Sequence, residues 1–433
     1  NVAIGASALG AEDAHGYNVA VGYGALSVQN AGANAYNVAV GYEAGVAVTT
    51  AVENTIIGGL AGDAITTGGY NTLMGVHAGG GLVEGTDNVA IGWSALKTED
   101  AHGGNVAIGK EALKTLDAGA EGYNVAVGLR AGYLMTTGTH NTLIGANAGD
   151  ALTTGANNVA MGYGALGTED TGSRNVAMGH NTLNNLNYDG NGYNVAVGYA
   201  AGTAMSTGTL NTLIGGYAGT ALTTGGDNIA IGYAALKTED AHGKNIAIGV
   251  QALEDQDAGA DAYNIAIGHQ AGRDITTGIR NVLIGGLAGD ALTTGGNNIA
   301  IGYEALTTED GDGRNIAIGT NSLQTLNAGS DAYNVAVGFA SGATMTTGVR
   351  NVIMGGLAAD ALTSGGYNIA IGYSALGTED TGSRNVAIGD QALLNQNYDG
   401  YAYNIAVGYS AGKEITTGIR NVLIGGLAGD ALT

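Results

Sequence analysis

Apolar and polar positions alternate in a short phrase that recurs along the whole chain, typified by Asn-Val-Ala-Ile-Gly at residues 88–92. Each copy opens with Asn and carries Gly at its fifth position, with Val, Ile or Thr second and Ile, Val or Met fourth. A period of two and an abundance of β-branched residues predict a short β-strand in every copy. The Thr-Glu-Asp and Thr-Thr-Gly segments between the copies are typical of turns.

The copies recur at regular intervals, and the intervals predict the fold. Of the 25 copies, successive ones begin at Asn88, Asn105, Asn124, Asn141 and Asn158, so the second interval of this set is slightly longer than the other three. The same set of four turns, which we call the super-period, begins again at Asn158, Asn228, Asn298 and Asn368. A lone turn of this length cannot bury its apolar face, whereas stacked turns can. We therefore predict an all-β fold, a parallel β-solenoid of about 25 stacked 17- or 19-residue turns.

The predicted solenoid forms one continuous domain over residues 1–433, because the repeat is not interrupted. Its blocks are 1–87, 88–157, 158–227, 228–297, 298–367 and 368–433. The chain opens on the first residue of a repeat and stops partway through one, at residues 431–433. We expect it to be a segment of a longer protein, since capping turns normally close a solenoid.

Stacking gives the two invariant positions a structural role. Asparagines of successive turns should lie beneath one another and form a hydrogen-bonded ladder. The invariant glycines should mark places where φ is positive or where a neighbouring turn approaches closely. Representative residues of the two columns are Asn88, Asn105, Asn124, Asn141, Gly92, Gly109, Gly128 and Gly145.

The third position of the phrase suggests an assembly. If the second and fourth positions face inward, the third faces outward, yet it is Ala, Leu or Ile in every turn. A continuous apolar column of this kind should not face water. We expect other chains to cover it in a parallel homotrimer, because symmetric closure would bury the column on every subunit.

Composition and charge exclude several classes of protein. The chain has 80 glycines and no proline or cysteine, and glycine does not recur every third residue, so it is not collagen. Hydrophobic residues make up 45% and occupy fixed positions, which argues against disorder. A net charge of −23 argues against binding to nucleic acid, and no apolar run is long enough to insert into a membrane.

Adjacent carboxylates recur about once per super-period, at residues 12–13, 99–100, 169–170, 239–240, 309–310 and 379–380. Four turns of about 4.8 Å would separate successive pairs by about 19 Å, whereas paired catalytic carboxylates lie within about 10 Å. We expect these carboxylate pairs to lie in solvated turns, and the alternative is that they bind cations weakly. We expect no enzymatic activity. The seven histidines have no partners at metal-ligand spacing.

The longer turns of each super-period carry loops rich in oxygen ligands. Alternating Asn and Asp beside Gly suits Ca²⁺, although both residues also favour turns for conformational reasons. Ca²⁺ is the only cofactor that the sequence suggests. The candidate ligands are Asn187, Asp189, Asn191, Asp255, Asp257, Asp261, Asn395, Asn397 and Asp399.

Tyrosines end each of the longer turns, and 22 tyrosines against one phenylalanine imply rings with one hydrated edge. Such rings could stack on a receptor sugar, or they could pack between neighbouring turns or chains. The candidate receptor contacts are Tyr123, Tyr193, Tyr263, Tyr333 and Tyr403. Columns of paired threonines invite an ice-binding role, but adjacent residues of a strand face opposite ways.

The phrase Asn-Val-Ala-Ile-Gly-x-x-Ala in short coils resembles the head repeats of trimeric autotransporter adhesins, and the resemblance covers essentially the whole chain. It implies a left-handed parallel β-roll assembled as a trimer, with inward Val and Ile and a turn-forming Asn. The variant with Asn-Thr-Leu-Ile-Gly is also similar to repeats of bacteriophage tail fibres and large bacterial surface proteins. The turns of this chain are longer than the adhesin coil, and no neck, stalk or anchor is present in this segment.

Together these features predict the structural and adhesive fibre shaft of a bacterial surface adhesin or extracellular appendage. The alternative is the shaft of a phage or viral tail fibre, and ice-binding or carbohydrate-binding solenoids are less favoured. We expect an extracellular location on a cell or virion surface. The expected partners are further copies of the chain and a glycan or protein of the host surface.

Overall fold

The protein is an all-β parallel β-solenoid of about 25 turns, as the repeat predicts. The computed structural model describes residues 1–12, 16–311 and 313–433, so Asp13 and His15 lie outside the described residues. The chain divides into two compact units, Asn1–Gly216 and Tyr217–Thr433. The described residues form no helix, and therefore none that could cross a membrane.

Every strand is three residues long and coincides with positions two to four of the repeated phrase. In the first unit the strands are β1 (Val2–Ile4), β2 (Val19–Val21), β3 (Val38–Val40), β4 (Thr55–Ile57), β5 (Thr72–Met74), β6 (Val89–Ile91), β7 (Val106–Ile108), β8 (Val125–Val127), β9 (Thr142–Ile144), β10 (Val159–Met161), β11 (Val176–Met178), β12 (Val195–Val197) and β13 (Thr212–Ile214). In the second unit they are β14 (Ile229–Ile231), β15 (Ile246–Ile248), β16 (Ile265–Ile267), β17 (Val282–Ile284), β18 (Ile299–Ile301), β19 (Ile316–Ile318), β20 (Val335–Val337), β21 (Val352–Met354), β22 (Ile369–Ile371), β23 (Val386–Ile388), β24 (Ile405–Val407) and β25 (Val422–Ile424).

Within each unit, every strand pairs in parallel with the next along the chain, and equivalent residues are partners. Val89 lies opposite Val106 in the first unit, and Ile229 lies opposite Ile246 in the second. Side chains of one type therefore stack in columns across successive turns. A given position of the repeat therefore has the same packing environment in successive turns of a unit.

The expected direction of the strand side chains was wrong. Ala90 and Ala107, at the third position, are fully buried, whereas the flanking Val89 and Ile91 are half-buried. The narrow interior of a short turn has room for a methyl group at this point. The β-branched residues instead point away from the core, where they stack on their neighbours in adjacent strands.

Two residues of each turn share the same interior space. Turns with Ala at the third position often carry Leu at the ninth, as in Ala90 and Leu96, both fully buried. Where the third residue is Leu143, the ninth is Gly149, and a Cβ there would lie 2.9 Å from the Leu143 Cδ2. Because interiors are close-packed, a larger side chain at one position requires a smaller one at the other.

Within each unit, the asparagines of the column are hydrogen-bonded from turn to turn, and all but Asn1 and Asn421 are buried. The Asn105 backbone N–H donates to Asn88 Oδ1 at 3.1 Å, and that of Asn124 donates to Asn105 Oδ1 at 3.2 Å. Asn141 repeats the contact on Asn124 at 3.0 Å. Side-chain amides also donate along the column, as from Asn124 Nδ2 to Asn105 Oδ1 at 3.2 Å. The ladder therefore joins side chain to backbone as well as side chain to side chain.

The glycine column meets both requirements that the sequence suggests. Gly92, Gly109, Gly128 and Gly145 have φ of +133°, +134°, +144° and +133°. A Cβ at Gly92 would also lie 2.5 Å from the carbonyl oxygen of Gly109. Any other residue would be strained by its own backbone and would collide with the next turn.

Candidate functional site

One core column of the solenoid contains a carboxylate in place of an apolar side chain. The twelfth residue of a turn is commonly apolar and fully buried, as in Leu116, Met135 and Leu152. In turns that carry the Thr-Glu-Asp segment, this residue is the glutamate. Five of these glutamates are fully buried, namely Glu99, Glu169, Glu239, Glu309 and Glu379. The prediction of a solvated turn was therefore wrong for the glutamates.

Two of these turns, which we call the glycine-type turns, carry Gly three residues after the glutamate. Glu169 Oε1 accepts a hydrogen bond from the Gly172 N–H at 2.7 Å, and its Oε2 accepts one from the Tyr188 N–H at 3.3 Å. Glu379 and Gly382 repeat the first contact at 2.7 Å. Here the carboxylate satisfies backbone donors of its own turn and of the next.

Burial shifts the acidity of both carboxylates in the glycine-type turns. It raises the pKa of Glu169 to about 6 and that of Glu379 to about 7, because the charged form loses hydration. The backbone hydrogen bonds oppose this shift without cancelling it. Both groups therefore titrate close to neutral pH.

Two further turns, the histidine-type turns, carry His three residues after the glutamate. Glu99 Oε1 accepts from the His102 N–H at 3.2 Å, and its Oε2 accepts from the Ala118 N–H at 3.2 Å. Glu239 Oε1 accepts from the His242 N–H at 3.2 Å. The carboxylate thus lies farther from the backbone donor of its own turn than in the glycine-type turns.

Each histidine-type turn, together with the turn that follows it, gathers four groups that can bind a metal. A ligand atom from each of Glu99, Asp100, His102 and Asp117 lies within 4.8 Å of the others. A second set with the same spacing consists of Glu239, Asp240, His242 and Asp257. Among the residues that the structure describes, these are the two groups of three or more acidic or histidine side chains so arranged.

Sequence reasoning missed both clusters because the second aspartate belongs to the following turn. The signal was nevertheless present in the repeats. The turn after a histidine-type turn carries Asp117 or Asp257, and the equivalent residue after a glycine-type turn is Asn187 or Asn397. Recognising the pair requires knowing that stacking brings these two turns together.

The predicted calcium ligands are spread over exposed loops, and one of them, Asp257, belongs to a cluster. Asp189 Oδ1 accepts a hydrogen bond from Thr171 at 2.5 Å, and Asp399 accepts one from Thr381 at 2.7 Å. Asp261 forms an ion pair with Lys244 at 2.5 Å. Asn187, Asn191, Asp255 and Asn397 are exposed and Asn395 is half-buried. Calcium binding by these loops stays a prediction.

The five tyrosines proposed as receptor contacts are 42% to 55% exposed. Four of them lie against a cation of the preceding turn, with Arg174 5.5 Å from the ring centre of Tyr193 and Lys244 5.3 Å from that of Tyr263. Arg314 and Arg384 contact Tyr333 and Tyr403 in the same way, and Tyr123 packs at a tilt on His140. Each ring keeps part of its surface open to solvent.

The outward side of the strands is a further apolar surface, which we call the strand face. It consists of the second and fourth positions of the phrase, where Val, Ile, Thr and Met stack in two columns. Most of these residues are half-buried, and some are more open, such as Val195 at 36% and Met354 at 42%. The strand face runs the length of each unit.

Comparison with known protein families, with curated proteins and with solved structures finds no match to this chain.

Proposed function

We propose that this chain is a section of an extracellular structural and adhesive fibre, in which parallel copies assemble as a homotrimer along their strand faces. The observation that carries the proposal is the strand face itself. It presents two apolar columns on successive strands of each unit, with residues such as Met354 and Ile405 42% and 39% exposed. Contiguous apolar surface of this extent marks an interaction site.

The regular spacing of the strand face favours a second copy of the same chain as its partner. Neighbouring strands lie about 4.8 Å apart, and each contributes the same pair of outward residues. A surface with another spacing would lose register after a few strands. An identical parallel solenoid keeps register along its whole length, and rotational symmetry then closes the assembly.

This proposal replaces the reason first given for a trimer. The third position, which was expected to form the exposed column, lies in the core of each subunit, as at Ala90. The apolar surface that calls for a partner is provided instead by its neighbours Val89 and Ile91. The expected assembly is unchanged, but the residues that form the interface differ.

The mass of the purified chain in solution, measured by sedimentation, tests the proposal. We expect three times the mass of one chain. Replacing Ile91 and Ile108 with Lys should dissociate the assembly, because both side chains would place charge in an apolar interface. Leu129→Lys is the matched control, since Leu129 is 47% exposed outside the strand face. A monomeric wild-type chain would refute the assembly.

The tyrosines beside Arg and Lys are the surface that we propose for contact with a host glycan. A sugar ring can stack on the open part of Tyr193 or Tyr333, while Arg174 or Arg314 supplies donors to an acidic substituent. Binding to sialylated and neutral glycans by the wild type should be compared with binding by Tyr333→Ala/Arg314→Ala. Equal binding by the variant would remove these residues from the contact.

A further inference from the structure

We propose that the two histidine-type turns are binding sites for a divalent first-row transition metal ion, with Zn²⁺ as the ion that the ligands fit best. One site consists of Glu99, Asp100, His102 and Asp117, and the other of Glu239, Asp240, His242 and Asp257. This site is independent of the proposed fibre function.

In both clusters the ligand atoms are close enough together to bind a single ion. The ligand atoms of each cluster lie within 4.8 Å of one another. His102 Nδ1 is 3.6 Å from Glu99 Oε1, and His242 Nδ1 is 3.7 Å from Glu239 Oε1. These separations are too long for a hydrogen bond, but they allow both atoms to bind one ion placed between them.

Residues of both clusters have buried atoms without hydrogen-bond partners. Glu239 is fully buried, and its Oε2 has no hydrogen-bond partner. The Nδ1 atoms of His102 and His242 are also buried without one. Leaving a buried polar atom unpaired is unfavourable, because the atom loses its hydration without gaining a partner, so such atoms need an explanation. A bound metal would supply the missing partner for all of them.

The charges of the clusters also call for a cation. Each contains three carboxylates around one imidazole. Across the described part of the chain, no Lys or Arg forms an ion pair with Asp100, Asp117, Asp240 or Asp257. By contrast, Asp261 on the same stretch of chain pairs with Lys244. Lys244 thus neutralises Asp261, whereas no Lys or Arg among the described residues neutralises these four aspartates.

The ligand types select the class of ion. Calcium and magnesium prefer sites made entirely of oxygen ligands, whereas imidazole nitrogen favours zinc and its first-row neighbours. One imidazole with three carboxylates gives the four ligands of a zinc site. The clusters therefore differ in chemistry from the Asn and Asp loops for which calcium was suggested.

The distant aspartate occurs only in repeats that also carry the histidine. Six copies carry the Thr-Glu-Asp or Ala-Glu-Asp segment, and in two of them the following turn supplies the aspartate, as Asp117 or Asp257. Both of these copies also have His three residues after the glutamate. The first copy combines His15 with Asn30, so it lacks that carboxylate. One shared site accounts for an aspartate that is found only where the histidine is also present.

Titration of the metal-free chain with Zn²⁺ by calorimetry, in a buffer of physiological ionic strength, tests the proposal. We expect two Zn²⁺ ions per chain, one for each cluster. The variant His242→Gly/Asp257→Asn should bind one ion fewer, and adding His102→Gly/Asp117→Asn should abolish the binding. Cobalt(II) should give visible absorption bands that disappear with the same variants, which reports on the ligands directly.

These substitutions are matched to residues that the chain already tolerates. Gly172 and Asn187 occupy the equivalent positions in a glycine-type turn, so the variants should keep the fold. Asp170→Asn, the equivalent of changing Asp240, is the control and should leave two ions bound. Failure of the wild type to bind Zn²⁺ would overturn the proposal, as would binding that is unchanged in the double variants. Tighter binding of Ca²⁺ than of Zn²⁺ at these residues would also contradict it.

Discussion

The glycine-type and histidine-type turns place the same glutamate in the same core column, yet they use it differently. In the glycine-type turn Glu169 lies 2.7 Å from the Gly172 N–H, whereas Glu99 lies 3.2 Å from the His102 N–H. A Cβ on Gly172 would collide with the carboxyl group of Glu169 as it is placed there. Glycine thus lets the carboxylate close on the backbone, and histidine holds it away.

The difference shows how one repeat can carry two roles without changing its fold. In one case the buried carboxylate satisfies backbone donors within the solenoid. In the other it lies beside an imidazole, and Glu239 leaves its Oε2 without a hydrogen-bond partner. Since both turn types occur in one chain, each serves as an internal control for the other. Hydrogen exchange, resolved turn by turn, measures the local stability of both turn types in the same molecule.

Removing the glutamate should produce the largest effect. Glu169→Ala deprives the Gly172 and Tyr188 amides of their acceptor and leaves a cavity, which should cost about 4 kcal/mol locally. In metal-free buffer Glu239→Ala should cost about half as much, about 2 kcal/mol, because Oε2 has no hydrogen bond to lose. Hydrogen exchange of the amides in both turns gives the loss of local stability for each variant. Equal losses would show that the two turn types use the glutamate in the same way.

The pH dependence of the glycine-type turn is the next largest effect. The pKa of Glu379, raised by burial to about 7 from its usual 4.5, means that the folded turn binds the proton more tightly than the unfolded chain. Its contribution to stability is fully present below about pH 4.5 and is lost as the pH rises through about 7, a change of about 3 kcal/mol. The hydrogen-exchange rate of the Gly382 amide, measured across this pH range and corrected for its intrinsic pH dependence, reports the loss of local stability.

Glu379→Gln provides the control for this pH effect. The variant should flatten the change at Gly382, because the amide does not titrate. The turn of Met205, which has an apolar residue in the same column and no acidic residue, should show no such dependence in either protein. A dependence of the same size in the variant would assign the titration to another group.

A side chain added to the glycine-type turn should have a smaller effect. Gly172→Ala places a Cβ against the Glu169 carboxyl group and should cost about 2 kcal/mol by displacing it. His242→Gly in metal-free buffer should cost less than about 0.5 kcal/mol, since the turn then has the residue of its glycine-type equivalent. Hydrogen exchange of the amides in residues 169–172 and 239–242 measures the loss of local stability in each variant. A neutral Gly172→Ala would show that the carboxylate moves freely.

The smallest effect concerns charge. Asp257→Asn in metal-free buffer removes one of three neighbouring carboxylates and should stabilise its turn by up to about 1 kcal/mol at low salt. The gain should shrink as salt screens the repulsion. With Zn²⁺ present the sign should reverse, because a ligand is then lost. Thermal melting in both buffers measures the two signs, and a gain under both conditions would contradict the site.

The sequence predicted the fold well because a repeat constrains every turn in the same way. The strand positions, the asparagine column and the glycine column all followed from spacing and residue type. The direction of the strand side chains did not follow, since Ala90 and Val89 are both apolar and alternation alone does not say which faces the core. The interior volume of the turn decided it, and that volume depends on Leu96 at the ninth position.

The candidate sites were harder to predict, because their residues meet through stacking. Glu239 and Asp257 are distant in the sequence and belong to different turns, so no local motif joins them. The sequence did not predict the burial of the glutamates either, since Thr-Glu-Asp is typical of an exposed turn. The exposed tyrosines were easier, because their hydroxyl groups already required one hydrated edge.

The sequence by itself determined that the chain is a stack of short parallel strands, because only a stack lets 25 copies of one phrase bury their apolar residues together. It also required Gly at the fifth position of the phrase, where φ is positive and the next turn approaches closely. The tertiary structure alone decided which apolar column faces outward and where each glutamate lies. Both depend on the space left inside a turn and on which residues of the next turn fill it, and neither is a property of a single segment.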